Sequence, residues 1–164
     1  MDSSDLTAFC EHTLDDVYRY ALRLTGGHPT HTADLVQDTY TSLLHHSRRH
    51  PEQPVELPWL ITCCRHRHLD TIKKRQRRDR NQRRAWLPSH TDVVDGSSGV
   101  IDALAQLDPI ERTAIVLRHV DQLPIAEIAD AIGKSVAATD SLLRRGRDRL
   151  RTRYLRTQEG AERS

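Results

Sequence analysis

The sequence is poor in the residues that build sheets, cages and cofactor cradles. Aromatic residues make up 4% of it, with a single Phe, and Gly and Pro contribute seven each. β-branched residues scarcely alternate with polar ones, so an all-α protein is expected. The three cysteines, Cys10, Cys63 and Cys64, are too few for a disulfide framework, and two of them are adjacent. No run approaches the roughly 18 apolar residues of a membrane-spanning helix, and the acidic start MDSSDLTAF has no basic-then-apolar leader. A cytoplasmic protein without direct membrane insertion is the expectation. There is no glycine-rich phosphate loop, no carboxylate cluster at metal-binding spacing and no nucleophile matched with a base. These absences argue against an enzyme and against a cofactor. In CCRHRH at 63–68, Cys64 and His68 share a helical face, but Cys64 also lies on the apolar stripe and no second pair at zinc spacing accompanies them. No metal site is expected, and the histidines read as surface residues.

What the sequence does hold is charge, and the charge is sorted. The formal net charge is only +2, yet Arg65 to Arg84 carries ten Lys or Arg against two Asp, so the rest must total −6. With 37% apolar and 29% charged residues in 164, two small helical domains are more plausible than one large core.

Leu6, Phe9, Val17, Tyr20, Ala21 and Leu24 recur at helical spacing and stop at Gly26-Gly27, which predicts a helix from Leu6 to Thr25. Thr30 or Thr32 is expected to cap a second helix whose stripe is Ala33, Val36, Tyr40, Leu43 and Leu44. Prolines 51, 54 and 58 then break helicity, and Pro58 suits the first turn of a third helix. That helix carries Leu57, Leu60, Ile61, Cys64, Leu69 and Ile72 on its apolar side, with Trp59 as a core anchor. Beyond Ile72 the stripe vanishes while the charge continues, so the helix is expected to project from the body. Residues 85–100, AWLPSHTDVVDGSSGV, read as a flexible linker between a domain at 1–84 and another at 101–164.

The second domain has the grammar of a helix-turn-helix. A stripe of Leu104, Leu107, Ile110, Ala114 and Leu117 is broken or bent at Asp108-Pro109. Ile125, Ile128, Ala129 and Ile132 then form a short helix, Ala129 is small where another helix must cross, Gly133 suits a left-handed turn and Ser135 can cap a last helix. Thr139, Leu143, Gly146 and Leu150 give that last helix an inward seam. Its other side presents Val136, Ala137, Asp140, Ser141, Arg144 and Arg145, the part such motifs place in the major groove. Lys134, Arg147, Arg149, Arg151 and Arg153 add candidate phosphate contacts.

Three stretches in order, ADLVQDTYTSLL from Ala33, PWLITCCRHRHLDTIKKRQRR from Pro58 and ALAQLDPIERTAIVLRHVDQLPIAEIADAIG from Ala103, resemble the extracytoplasmic-function sigma factors of bacterial RNA polymerase, in the sigma-70 family. The match covers roughly Phe9 to Arg153. The resemblance implies that Asp34, Leu35, Gln37, Asp38 and Thr39 hold the clamp helices of the polymerase β′ subunit, with Leu35 adding apolar contact. It implies that Trp59, Arg65, His66, Arg67, Lys73, Lys74, Arg75, Arg77 and Arg78, with the loop at about 46–57, engage and help open the minus-10 element. It places Lys134, Ser135, Val136, Ala137, Asp140, Ser141, Arg144 and Arg145 on the minus-35 element, and the second domain against the β flap. Promoter DNA, core polymerase and an anti-sigma protein are the implied partners, with a nucleoid location when active or a membrane tether through the anti-sigma protein. The chain departs from the family at His66, where Asn is frequent, and at Asp140 and Leu142, where Lys and Arg are common. Asp140 can accept from a cytosine amine or repel phosphates. A stand-alone helix-turn-helix regulator is the alternative reading.

Overall fold

The computed structural model describes residues 3–82 and 99–161, with side chains over 5–78 and 99–156. Among the described residues the chain forms seven helices and no strand: α1 (Ser3–Thr25), α2 (Pro29–Arg49), α3 (Leu57–Gln82), α4 (Gly99–Ala105), α5 (Pro109–His119), α6 (Ile125–Ile132) and α7 (Val136–Ala161). The linker expected over 85–100 falls outside the described residues except for Gly99 and Val100, which already open α4.

Local chemistry explains most of the boundaries. α1 stops where Gly26 and Gly27 take φ of +68° and +75°, and the Gly27 amide turns back to the Leu22 carbonyl at 2.9 Å. α2 starts earlier than a threonine cap would allow. Pro29 sets the helical φ at its first position, and His28 caps it by accepting the His31 amide on Nδ1 at 3.4 Å. Thr32, expected as a cap, lies inside α2 and is buried, donating to the His28 carbonyl at 2.8 Å. The buried side of α2 is Thr32, Leu35, Thr39 and Leu43, rotated from the stripe that apolar periodicity picks out. Two of those four are threonines whose hydroxyls bond carbonyls one turn back, so their polarity is satisfied within the helix and hidden from a hydrophobic count.

In the second half Asp108 caps α5, its carboxylate accepting the Ile110 amide at 2.8 Å with Pro109 behind it. Gly133 ends α6 at φ +68°, and Ser135 Oγ accepts the Ala138 amide at 3.2 Å to open α7. Ala129 is buried at the α6–α7 crossing, and Gly146 lets α7 lie against Ile115 of α5.

The core does not divide cleanly at the linker. Val17, Leu43, Val55 and Leu60 close the α1–α3 bundle. Beside them Tyr20, Ala21, Leu24, Leu35 and Cys64 pack with Val116, which comes from α5. The second core, built from Leu104, Leu107, Leu117, Ile128, Ile132, Leu142 and Leu143, takes in Leu69 from α3. Each such side chain contributes about 1.5–3 kcal/mol by leaving water. α1 thus packs on α4 and α5, and α3 on α6. The expected projection of α3 after Ile72 is not what the structure shows. Ile72 is buried, and Gln76 Nε2 donates to the Ile132 carbonyl of α6 at 3.3 Å, because the second half offers a surface that the sequence of α3 alone does not reveal. No described helix is long and apolar enough to cross a membrane.

Candidate nucleic-acid and polymerase interfaces

α3 is amphipathic for its first four turns and cationic afterwards, and its exposed side carries most of the sequence's candidates. His66, Arg67, Lys74, Arg75, Arg77 and Arg78 are exposed, and Lys73 is half-buried. Arg67 is steadied by Ser42 of α2, with Nε and Nη2 at 3.1 and 2.9 Å from its hydroxyl. Trp59 is half-buried against the α1–α3 core, its ring 4.7 Å from that of His46 at the end of α2. Arg65 differs from its neighbours: it is largely covered and lies 3.5 Å from Asp121 Oδ2, an oxygen that also accepts the Tyr20 hydroxyl at 2.8 Å.

On α2, Asp34, Gln37 and Asp38 are exposed at spacings of three and four residues and so share one face. Leu35 and Thr39 do not join them. Leu35, expected to offer apolar contact to a partner, is 7% exposed and packs with Tyr20, Leu24 and Cys64, while Thr39 is buried and donates to the Leu35 carbonyl at 2.8 Å. One helical turn separates the two, so the rotation that turns Asp34 and Asp38 outward turns them in. Burial pushes the Cys64 thiol up to about 12, so it sits in the core as an uncharged packing group. Among the described residues no group of three His, Cys, Asp or Glu is placed to hold a metal.

At the start of α7, Lys134, Ser135, Val136, Ala137, Asp140, Arg144 and Arg145 are exposed and Ser141 is half-buried, while Thr139, Leu142 and Leu143 are buried. Leu142 therefore replaces a cation with a core residue and adds nothing to the outer face. Ser135 spends its hydroxyl on the cap. Arg149 is already engaged, with Nη1 at 2.8 and 2.9 Å from the two carboxylate oxygens of the buried Glu111. It fixes α7 on α5 instead of standing free for a phosphate.

Sequence reasoning missed the groups that join the two halves. His68, read as a surface histidine, is 8% exposed, with Nε2 2.8 Å from Thr113 Oγ1. The single hydroxyl proton of Thr113 goes to the Pro109 carbonyl at 2.7 Å, so Nε2–H of His68 is the donor. Burial first, then the nearby Arg112 and His31, pushes the imidazole down to about 4. Arg112, 8% exposed, donates to the Thr25 carbonyl at the end of α1 and to Leu107 O. Burial lowers its guanidinium to about 10, opposed by Asp108 and aided by Arg75. Buried polar residues in the run ERT at 111–113 were the only sequence signal, and their partners are 38 to 87 residues away.

Residues 9–78 match the family model Sigma-70 region 2, and residues 99–150 match Sigma-70, region 4. The chain is 37% identical over 82 residues to the ECF RNA polymerase sigma factor SigG of Mycobacterium tuberculosis, covering 42% of this chain and 22% of that protein. Against SigJ of the same organism it is 28% identical over 163 residues, covering 90% of this chain and 49% of that one. Against the RNA polymerase sigma factor CarQ of Myxococcus xanthus the identity is 27%, with 72% and 71% covered. The chain thus spans less than half the length of the first two relatives. The sigma factor RpoE of Bartonella quintana, solved in complex with the anti-sigma factor NepR, has the same fold, with a TM-score of 0.52 at 22% identity over 91% of this chain and 96% of that one.

Proposed function

The chain belongs to the sigma-70 family, in its extracytoplasmic-function group, and from that premise we propose that it directs RNA polymerase to specific promoters and aids their melting. The observation that carries this reading is the presence, in one chain and in order, of both family regions, each with one exposed cationic helix. In α3, Arg67, Lys73, Lys74, Arg75, Arg77 and Arg78 neutralise phosphates near the minus-10 element and release counterions. Bases drawn from the duplex are captured there by pockets and stacking, and that binding offsets an unpairing cost of a few kcal/mol per base. Nothing in this requires nucleotide hydrolysis. The factor selects and opens, and the polymerase catalyses.

In region 4 the N-terminal part of α7 enters the major groove at the minus-35 element, with Val136, Ala137, Asp140 and Ser141 towards base edges and Lys134, Arg144 and Arg145 towards phosphates. Asp34, Gln37 and Asp38 form the polar, acidic surface that docks on the β′ clamp helices, and region 4 meets the β flap. Leu35 and Thr39 support that surface from beneath. The factor works in the cytoplasm, on the nucleoid when active, and an anti-sigma protein is a further partner.

The test is run-off transcription with purified core polymerase on a pool of genomic fragments. Specific transcripts that depend on the chain, and fall at least tenfold when Asp34 and Gln37 are both replaced by Ala, are the expected outcome. A chain that binds promoter duplex tightly by itself and starts no transcript with core polymerase is a stand-alone regulator instead.

A further inference from the structure

The outward face of α7 carries few hydrogen-bonding groups in its first two turns. From 136 to 143 the sequence reads VAATDSLL, in which Asp140 is the only charged residue and neither Asn nor Gln occurs. Leu142 and Leu143 are buried, and Thr139 is buried with its hydroxyl donating to the Ser135 carbonyl at 2.9 Å. Val136, Ala137 and Asp140 are exposed, and Ser141 is half-buried. The nearest cations along the chain are Lys134, before the helix, and Arg144, more than two turns into it.

The fold itself gives Asp140 no task. The cap of α7 is Ser135, whose Oγ accepts the Ala138 amide at 3.2 Å. Asp140 lies beyond the first turn, where the helix dipole has faded. Arg144 follows it at the spacing of an intrahelical ion pair, yet among the described residues no cation is paired with the Asp140 carboxylate. The side chain is exposed and adds nothing to the core. On a helix flanked by Lys134, Arg144 and Arg145, a free carboxylate costs affinity for phosphates unless a specific contact offsets it.

The major groove offers a carboxylate two kinds of partner. The N4 amine of cytosine and the N6 amine of adenine donate there, whereas guanine N7 and O6 and thymine O4 accept. An ionised carboxylate has acceptors alone. Adenine sets its N7 lone pair beside N6, which suits the mixed donor and acceptor of Asn or Gln and repels a second carboxylate oxygen. Cytosine has no acceptor of its own on that edge. Guanine, commonly read by Arg or Lys, has no cationic reader in these two turns. Val136, one turn before Asp140 and about 6 Å away along the axis, is 53% exposed and brings no competing donor or acceptor.

We propose that Asp140 is a specificity-determining residue of the minus-35 contact, accepting a hydrogen bond from the N4 amine of one cytosine. The placing of α7 on that element rests on the initiation-factor reading, whereas the choice of cytosine follows from the helix face.

The experiment takes a promoter that the full chain and core polymerase transcribe, and measures holoenzyme binding with each base pair of its minus-35 element replaced by every alternative. For the wild type, loss of one cytosine should weaken binding about tenfold to a hundredfold. Asp140→Ala should bind every base at that position about equally and keep the wild-type preferences elsewhere. Replacing the same cytosine by 2-pyrimidinone, which carries hydrogen in place of the amine, should weaken the wild type by a similar factor and the variant several-fold less. A wild type indifferent to cytosine, a preference for adenine in its place, a variant that keeps the cytosine preference, or an equal fall of both proteins on pyrimidinone overturns the proposal. So does a variant whose affinity rises equally on every sequence, the mark of phosphate repulsion alone. If no promoter is transcribed, the initiation-factor reading fails, and the same comparison is made on duplexes that the full chain selects from a random pool. There a cytosine preference lost in Asp140→Ala sustains the proposal, and its absence, or no selected duplex, overturns it.

Discussion

The two regions solve one problem, how to present a cationic helix, by different means. In region 2 the helix is long and its cationic side is defined by subtraction: α3 runs over 26 residues, and its apolar stripe simply ends while its charge goes on. Its free cations are held by little beyond the helix itself, apart from Arg67 on Ser42. In region 4 the helix is placed by construction. Asp108 opens α5, Gly133 ends α6 and Ser135 opens the helix itself, Ala129 and Gly146 allow close crossings, and Glu111 grips Arg149. A cation run thus marks where a charged face begins, but only caps, small residues and ion pairs determine the angle at which it is offered.

The largest effect that can break this comparison is in the cores. Leu117→Ala, at a fully buried position in region 4, should cost about 2–5 kcal/mol. Leu43→Ala should cost the same in region 2. Because Leu69 and Val116 couple the two cores, either change should lower one shared calorimetric transition. Two transitions of which only one moves would show that the regions fold independently.

A somewhat smaller effect comes from pH. His68 is held neutral, with an imidazole pushed down to about 4 from an ordinary value of about 6.5. Its folded-state value is the lower one, so the unfolded chain binds the proton more readily. The contribution is complete above about pH 6.5 and is lost as pH falls from there towards 4, amounting to about 3 kcal/mol. Denaturant midpoints at pH 7.5 and 4.5 should therefore differ more for the wild type than for His68→Gln. Equal differences would place His68 in water.

The smallest effect separates the two helices charge by charge. In the salt dependence of holoenzyme binding to a promoter, Arg77→Ala or Arg144→Ala should each reduce the log–log slope by about 1. Arg149→Ala should leave it unchanged, since that side chain already sits on Glu111. A slope reduced equally by all three would mean that the Glu111 pair opens on DNA.

Much of the fold was legible because its signals are local. Helix ends at Gly26-Gly27 and Gly133, the bend at Asp108-Pro109 and the cap at Ser135 each depend on residues within five positions of one another. The outward set on α2 was legible only in part. Apolar periodicity overlooks Thr32 and Thr39, whose hydroxyls are satisfied by their own helix, and so it misplaced the buried side, while the contact role that the resemblance implied for Leu35 falls on a buried side chain. The start of α2 was misjudged because Pro29 outweighs a threonine that merely can cap.

The sequence by itself determined that the chain is helical, where its helices stop, where its cations gather and which family it joins, since those depend on covalent geometry and short-range spacing. Only the tertiary structure decided which of those cations are free. Arg65 and Arg149 look like their neighbours along the chain, yet one meets Asp121 and the other Glu111, and burial keeps His68 neutral where it donates to Thr113. Desolvation and pairing depend on distances across the fold, and no local pattern encodes them.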